Sequence, residues 1–232
     1  MKILAFTMWQ NDLVGLDLWL KYYRKQFDEV FIICFGTNPN YFPELEKRNL
    51  KYITFGANLE EPQTANQMLR EKQNEFLKDY DWVLYCNLDE FLIPNPRKYK
   101  NIKDLIRHTK KDWIASECFE VIQVEGEPPI EFSKPYLKQR KFWVKNPNMN
   151  KILLSRIPLS WNDGQHQIDG IESETSKGYH NTGLYLIHIK HADPNPYQPR
   201  DFGPMKRSPD GWTTDRSKDS RIKIPEIFKN KI

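Results

Sequence analysis

A fully apolar run that ends in two adjacent carboxylates sets the strongest limit on what this chain can become. In Asp81-Trp-Val-Leu-Tyr-Cys-Asn-Leu-Asp-Glu-Phe-Leu-Ile-Pro94, residues Trp82 to Cys86 are apolar, partly β-branched and partly aromatic. Such a run has no polar face to offer water, so it suits the centre of a parallel sheet that is covered on both sides. Asp89 and Glu90 then fall just past the strand's carboxyl end, where open α/β sheets place their ligands. Carboxylate oxygens suit a hard divalent cation, and Mg²⁺ or Mn²⁺ held by one or two of them keeps sites free for a diphosphate. The plainer alternative is that the pair caps a turn before Phe91, a common use of Asp.

Strand and helix signals alternate through the first half. Lys2 to Met8 reads as a strand, and Asn11 or Asp12 offers an N-cap to the helix that follows. Leu13, Leu16, Leu20, Tyr23 and Phe27 recur at steps of three and four, which makes one buried helical face. Glu29 to Phe35 is a second buried strand closed by the turn Gly36-Thr-Asn-Pro-Asn40. A short helix over Phe42 to Lys47 and a strand over Lys51 to Phe55 come next. Gln63 to Lys78 is a polar helix whose Ala65, Leu69, Phe76 and Tyr80 face the sheet. This alternation predicts an α/β fold with a mostly parallel sheet flanked by helices. Beyond a helix near Ile102 to His108, the segments Trp113 to Val124, Pro135 to Trp143, Lys151 to Ile157 and Gly183 to His191 are all strand-like. They predict a mixed or antiparallel C-terminal extension.

A chain of 232 residues fits one globular domain that can bury a core. The net charge of +4 matches the surplus of nine Lys/Arg over five Asp/Glu from Asn195 onward, so the excess sits in the C-terminal stretch. That excess does not predict nucleic acid as a partner, and no basic-aromatic module of that kind is visible. Cys34, Cys86 and Cys118 each lie inside an apolar run, which reads as reduced core thiols, and no zinc spacing is present. Asn11 and Asp12 interrupt the apolar opening, so it does not read as a signal peptide, and no run is long enough to span a bilayer. A cytoplasmic location is the expectation.

The opening Met1-Lys-Ile-Leu-Ala-Phe-Thr-Met8, Asn11 with an amphipathic helix ending in Tyr22-Tyr23, Asp81-Trp-Val-Leu84 and Asn87-Leu-Asp-Glu-Phe-Leu92 together resemble the GT-A fold glycosyltransferases. The resemblance is to the family-two-like branch whose hallmark reads Asp-x-Asp-Glu-Phe. It covers about the first hundred residues well and Lys151 to His191 loosely. It implies one GT-A domain over residues 1–192, with a nucleotide-binding half over 1–100 and an acceptor half over 101–192, then a C-terminal tail or lid over 193–232. A nucleotide-diphosphate sugar would lie over the carboxyl ends of the first strands, with Mn²⁺ or Mg²⁺ bridging its diphosphate to Asp89. Asn87 stands where the family's first Asp is usual; its amide can still bond a hydroxyl but adds no negative charge.

By the same resemblance, a late histidine completes the metal site. His188 is the first choice, with His191 as the alternative on the opposite strand face. Thr7, Trp9, Asn11 and Asn38 would contact the donor base, Lys72 and Gln73 would reach the nucleotide from the preceding helix, and Asn87, Leu88 and Asp89 would line the donor. An inverting transfer needs a carboxylate base, for which Asp163 is chosen over Asp169, His166, Glu172 and Glu174; an Asp before Gly164 is equally a turn former. Trp143, Trp161 and Trp212 offer faces to sugar rings or pack in the core. The expected activity is metal-assisted, inverting transfer of a sugar to a glycan, glycoconjugate or other hydroxyl acceptor. A sugar-nucleotide nucleotidyltransferase and a non-catalytic glycan- or nucleotide-binding module are the alternatives. The first would want a Gly-rich, basic phosphate loop after the first strand, and Met8-Trp-Gln-Asn11 has neither feature.

Overall fold

The computed structural model describes residues 1–55, 62–124, 126–161, 165, 183–190 and 221–232. Its first half is built on four parallel strands, β1 (Ile3–Trp9), β2 (Glu29–Phe35), β3 (Lys51–Phe55) and β4 (Trp82–Tyr85), in the order β3-β2-β1-β4. Trp82, Val83, Leu84 and Tyr85 are all buried, as an apolar central strand requires. The connecting helices are α1 (Leu13–Tyr23), α2 (Phe42–Lys47) and α3 (Pro62–Phe76). Asp12 caps α1, its Oδ1 accepting from the Gly15 N–H at 2.8 Å.

The buried surface of α1 is broader than its three–four periodicity predicts. Leu18, Trp19 and Tyr22 are buried along with Leu16, Leu20 and Tyr23. The reason lies in a short fifth strand, β5 (Glu90–Pro94), which α1 also covers. Tyr23 Oη donates to the Glu90 carbonyl at 3.0 Å and accepts from the Leu92 N–H at 2.9 Å, while Tyr22 Oη donates to the Leu92 carbonyl at 2.7 Å. Two hydroxyls thus occupy backbone groups that a neighbouring strand would otherwise satisfy. Burial pushes the acidity of both phenols far down, so they stay neutral donors.

The second half adds α4 (Ile102–His108), β6 (Trp113–Ile122), β7 (Phe142–Lys145), β8 (Lys151–Ser155), β9 (Leu184–His188) and β10 (Arg221–Lys223). The whole sheet runs β10-β7-β6-β8-β4-β1-β2-β3, with β9 pairing to β5 and β6. The β4–β8, β6–β8, β6–β7 and β7–β10 pairs are antiparallel, so the expected mixed extension is present. Strand β6 is the hinge of the architecture. Its first residues pair with β8, a bulge follows between Ile114 and Ala115, and Glu117 to Glu120 then pair in parallel with β9. One expected strand is different: Tyr136–Gln139 is a 3₁₀ turn, because Pro135 fixes the backbone at its start and the buried Tyr136 and Leu137 need only a single turn to reach the core.

The last twelve residues return to the sheet. β10 lies on β7, Phe228 packs edge-on to Trp143 and Tyr185, and the Ile232 carbonyl accepts from the Tyr136 N–H at 2.8 Å. Cys34, Cys86 and Cys118 are buried free thiols. No described helix is long and apolar enough to cross a membrane.

Gly183 sets the entry to β9. Its φ is +78°, its carbonyl accepts from the Asn95 N–H at 2.8 Å, and a Cβ there would lie 2.9 Å from the Tyr99 ring. Gly183→Ala therefore combines a left-handed conformation with a close contact, and its expected cost is about 1–2 kcal/mol. Thermal unfolding checks it, at about 2–4 °C lost per kcal/mol for a chain of this size. An unchanged melting temperature would mean that the turn relaxes without cost.

Candidate active site

Two loops and a three-strand row converge at the carboxyl end of the parallel strands. The loops that follow β1 and β2 are tied together: Asn11 Oδ1 accepts from the Asn38 N–H at 3.0 Å, Thr37 Oγ1 donates to the Trp9 carbonyl at 3.0 Å, and Gln10 Nε2 to the Gly36 carbonyl at 3.3 Å. Asn11 has a φ of +54°, a conformation Asn tolerates better than most residues. Beyond β4, Tyr85 Oη donates to Asn87 Oδ1 at 2.9 Å and so fixes the Asn87 amide.

Asp89 and Glu90 are not a simple loop pair. Glu90 opens β5 and stands opposite His188 of β9, which in turn stands opposite Glu120 of β6. Residues in direct register share a sheet face, so Glu90, His188 and Glu120 form one row. Asp89 joins it from the turn, its carbonyl accepting from the Ile189 N–H at 2.9 Å. Asp89 is 8% exposed, Glu90 1%, Glu120 3% and His188 5%, a concentration of acid that calls for cations.

Lys151, 3% exposed, supplies one of them. Its Nζ donates to Glu90 Oε1 at 2.6 Å, and the other oxygen, Oε2, accepts from the Asn87 N–H at 3.2 Å. Ligand atoms of Asp89, Glu90 and His188 all lie within 4.8 Å of one another, so by distance the three form a possible metal cluster. Asp89 and His188 could hold an ion there, while both Glu90 oxygens also accept hydrogen bonds from the protein. His188 Nε2 lies 3.6 Å from Asp89 Oδ2. Two ligands at right angles on an ion of this size sit about 3 Å apart, so a small shift lets both bind one cation. The donors, one carboxylate and one imidazole, could serve a divalent ion.

Burial disfavours charge on His188, but Asp89 and Glu120 outweigh it and raise the pKa to about 9. Each ring nitrogen approaches its own carboxylate, Nε2 at 3.6 Å from Asp89 and Nδ1 at 3.9 Å from Glu120. With the cation absent, the folded pKa lies above the ordinary 6.5. The imidazolium's stabilisation is therefore complete below about pH 6.5 and lost as pH rises through about 9. A metal ion needs the unprotonated nitrogen and must displace that proton. Mn²⁺ affinity is accordingly expected to climb between pH 6.5 and 8.5, by up to about tenfold per unit, and to stay flat in His188→Gln. Mn²⁺ titrations followed by electron paramagnetic resonance at three pH values check this, and a flat wild-type profile would contradict it.

The other sequence-derived residues are placed as follows. Thr7 is fully buried on β1, and Trp9 is buried with its Nε1 donating to the Asp12 carbonyl at 2.8 Å. Leu88 is buried at the turn before Asp89. Lys72 Nζ pairs with Glu75 at 2.6 Å on the surface of α3. Gln73 is fully buried, with Nε2 donating to Ser155 Oγ at 3.1 Å and Oε1 accepting from the Leu159 N–H at 2.9 Å, so its amide clamps α3 to the end of β8. Trp143 and Trp161 are packed in the core. Asp163, His191 and the 193–220 portion of the tail lie outside the described residues. Sequence reasoning missed Glu120 and Lys151. Their signal was a charged side chain set inside or against a largely apolar strand, Trp113 to Ile122 for one and Ile152-Leu-Leu154 for the other.

Neither protein-family models nor curated proteins match this chain. Among solved structures, a CMP:2-keto-3-deoxy-manno-octonic acid synthetase complexed with CTP aligns at a TM-score of 0.34 and 15% identity, covering 82% of this chain and 72% of that one. A likeness so low in both measures assigns no activity to this chain. The functional reading therefore stands on the site itself.

Proposed function

We propose that this chain is a glycosyltransferase that moves a sugar from a nucleotide-diphosphate donor to a hydroxyl acceptor. The observation that carries the proposal is the meeting of Asp89 and His188, far apart in sequence, at the carboxyl end of a parallel sheet. Asp89 and His188 would hold Mn²⁺ or Mg²⁺, which when bound supplies a Lewis acid for the leaving diphosphate. Among the described residues the carboxylates of Asp89, Glu90 and Glu120 gather at this point beside the Lys151 ammonium, an acidic setting that favours a divalent ion. Asn87 can bond a donor hydroxyl. The tied Asn11 and Asn38 loops offer polar edges for the nucleoside. Asp163 is retained as the candidate base, the acceptor as a glycan or glycoconjugate, and residues 193–220 of the C-terminal stretch as a lid.

The test is a panel of nucleotide sugars screened for thermal stabilisation and nucleoside diphosphate release, with and without Mn²⁺. One donor should stabilise the protein and turn over only with metal. Pyrophosphate release from a nucleoside triphosphate and a free sugar would identify a nucleotidyltransferase instead, and binding without any turnover would identify a binding module.

Asn87→Asp supplies a further prediction. An added negative charge should strengthen Mn²⁺ binding by several-fold, and Tyr85 can still donate to the new carboxylate. Mn²⁺ titration checks it, and joint loss of metal binding and turnover would show that the Asn amide itself is required.

A further inference from the structure

Glu90, Glu117 and Glu120 are buried beside β9. Glu90 has the Lys151 ammonium at 2.6 Å, and Glu117 has that of Lys145 at 2.7 Å. Asn146 Nδ2 donates to Glu120 Oε1 at 2.8 Å, and His188 Nδ1 lies 3.9 Å from the same oxygen. Asn146 is itself held, its N–H donating to the Cys118 carbonyl at 2.9 Å. The two ring nitrogens of His188 therefore face two different carboxylates, Nε2 toward Asp89 and Nδ1 toward Glu120. The strand register enforces this, because Glu120 and His188 are direct partners across β6 and β9.

A neutral imidazole carries one N–H, so a cation held between Asp89 and Nε2 leaves that proton to Nδ1, on the Glu120 side. We propose that Glu120 is a positioning residue: it keeps the proton of His188 on Nδ1 and so leaves the Nε2 lone pair turned toward Asp89 for the cation, an inference that rests on the reading of Asp89 and His188 as a metal pair. The carboxylate also makes the ring a better donor to the ion. Asn146 holds the carboxylate in place, since its Nδ2 occupies the oxygen nearest the ring.

The experiment has two arms. In the first, the full chain labelled with ¹⁵N-histidine is loaded with Zn²⁺ as a diamagnetic probe, and long-range ¹H–¹⁵N spectra identify His188 among the five histidines by its loss in His188→Gln. The expected result is a protonated Nδ1 and a metal-bound Nε2. A protonated Nε2, or metal on Nδ1, overturns the inference. In the second arm, Mn²⁺ dissociation constants are compared for wild type, Asp89→Asn and Glu120→Gln, and the last is expected to rise about 10- to 100-fold. Unchanged affinity in Glu120→Gln, with binding lost in Asp89→Asn, overturns the role of Glu120 alone. Absence of binding in wild type, or full binding in Asp89→Asn, overturns the metal pair itself. Should Glu120→Gln fail to fold, the wild-type spectrum decides.

Discussion

Asp89→Asn will lower metal-dependent turnover by at least about 10²-fold while leaving the protein folded. The size follows from what is removed: a charged ligand to the ion that balances the developing diphosphate, a contribution of several kcal/mol in the transition state. The fold survives because Asp89 lies past the end of β4, and the backbone bond it makes, from the Ile189 N–H to its carbonyl, does not involve the side chain. Losing one acid removes part of the support for the His188 imidazolium but also relieves repulsion within the acidic cluster, so the two effects oppose one another. Circular dichroism and steady-state rates across Mn²⁺ concentrations check the two halves of this prediction. Wild-type turnover in the variant would remove Asp89 from the site, and an unfolded variant would make its role architectural.

Lys151→Met will be the most damaging substitution for stability. It leaves Glu90 buried with its ammonium partner gone, and breaking a buried pair from one side costs about 3–5 kcal/mol. That is a large share of the total stability of a domain this size. Glu90→Gln in the same chain removes the stranded charge and is expected to restore much of the loss, since a neutral pair carries no desolvated ion. Urea unfolding of the two single variants and the double variant measures the coupling directly. A loss below about 1 kcal/mol for Lys151→Met would mean that Glu90 takes up a proton or finds other cations.

The framework was legible because its signals are local. Trp82 to Tyr85 has no polar face, Asp12 sits where an N-cap must, and the first half alternates strand and helix at the spacing a parallel sheet demands. Asp89 could be singled out because a carboxylate directly after such a strand has few architectural reasons to be there. The remainder of the site depends on long-range register. Nothing near Glu120 announces that it will stand opposite His188, because that pairing depends on β9 docking in parallel beside β6 after a long connection. Lys151 reads as a surface residue at the start of a strand until β8 carries it beneath Glu90. Tyr22 and Tyr23 read as a helix face, whereas their hydroxyls serve the open edge of β5. Gln73 shows the converse: it resembles a nucleotide contact by position, yet its amide is engaged between α3 and β8.

On the proposed function, Asp89 and His188 hold a cation which in turn receives a nucleoside diphosphate. Isothermal titration of nucleoside diphosphates into the protein, with Mn²⁺ and with chelator, tests it most directly. One diphosphate is expected to bind with Mn²⁺ present and to weaken by at least about tenfold with chelator, in Asp89→Asn and in His188→Gln. Equal binding with and without metal, in wild type and in both variants, would contradict the account.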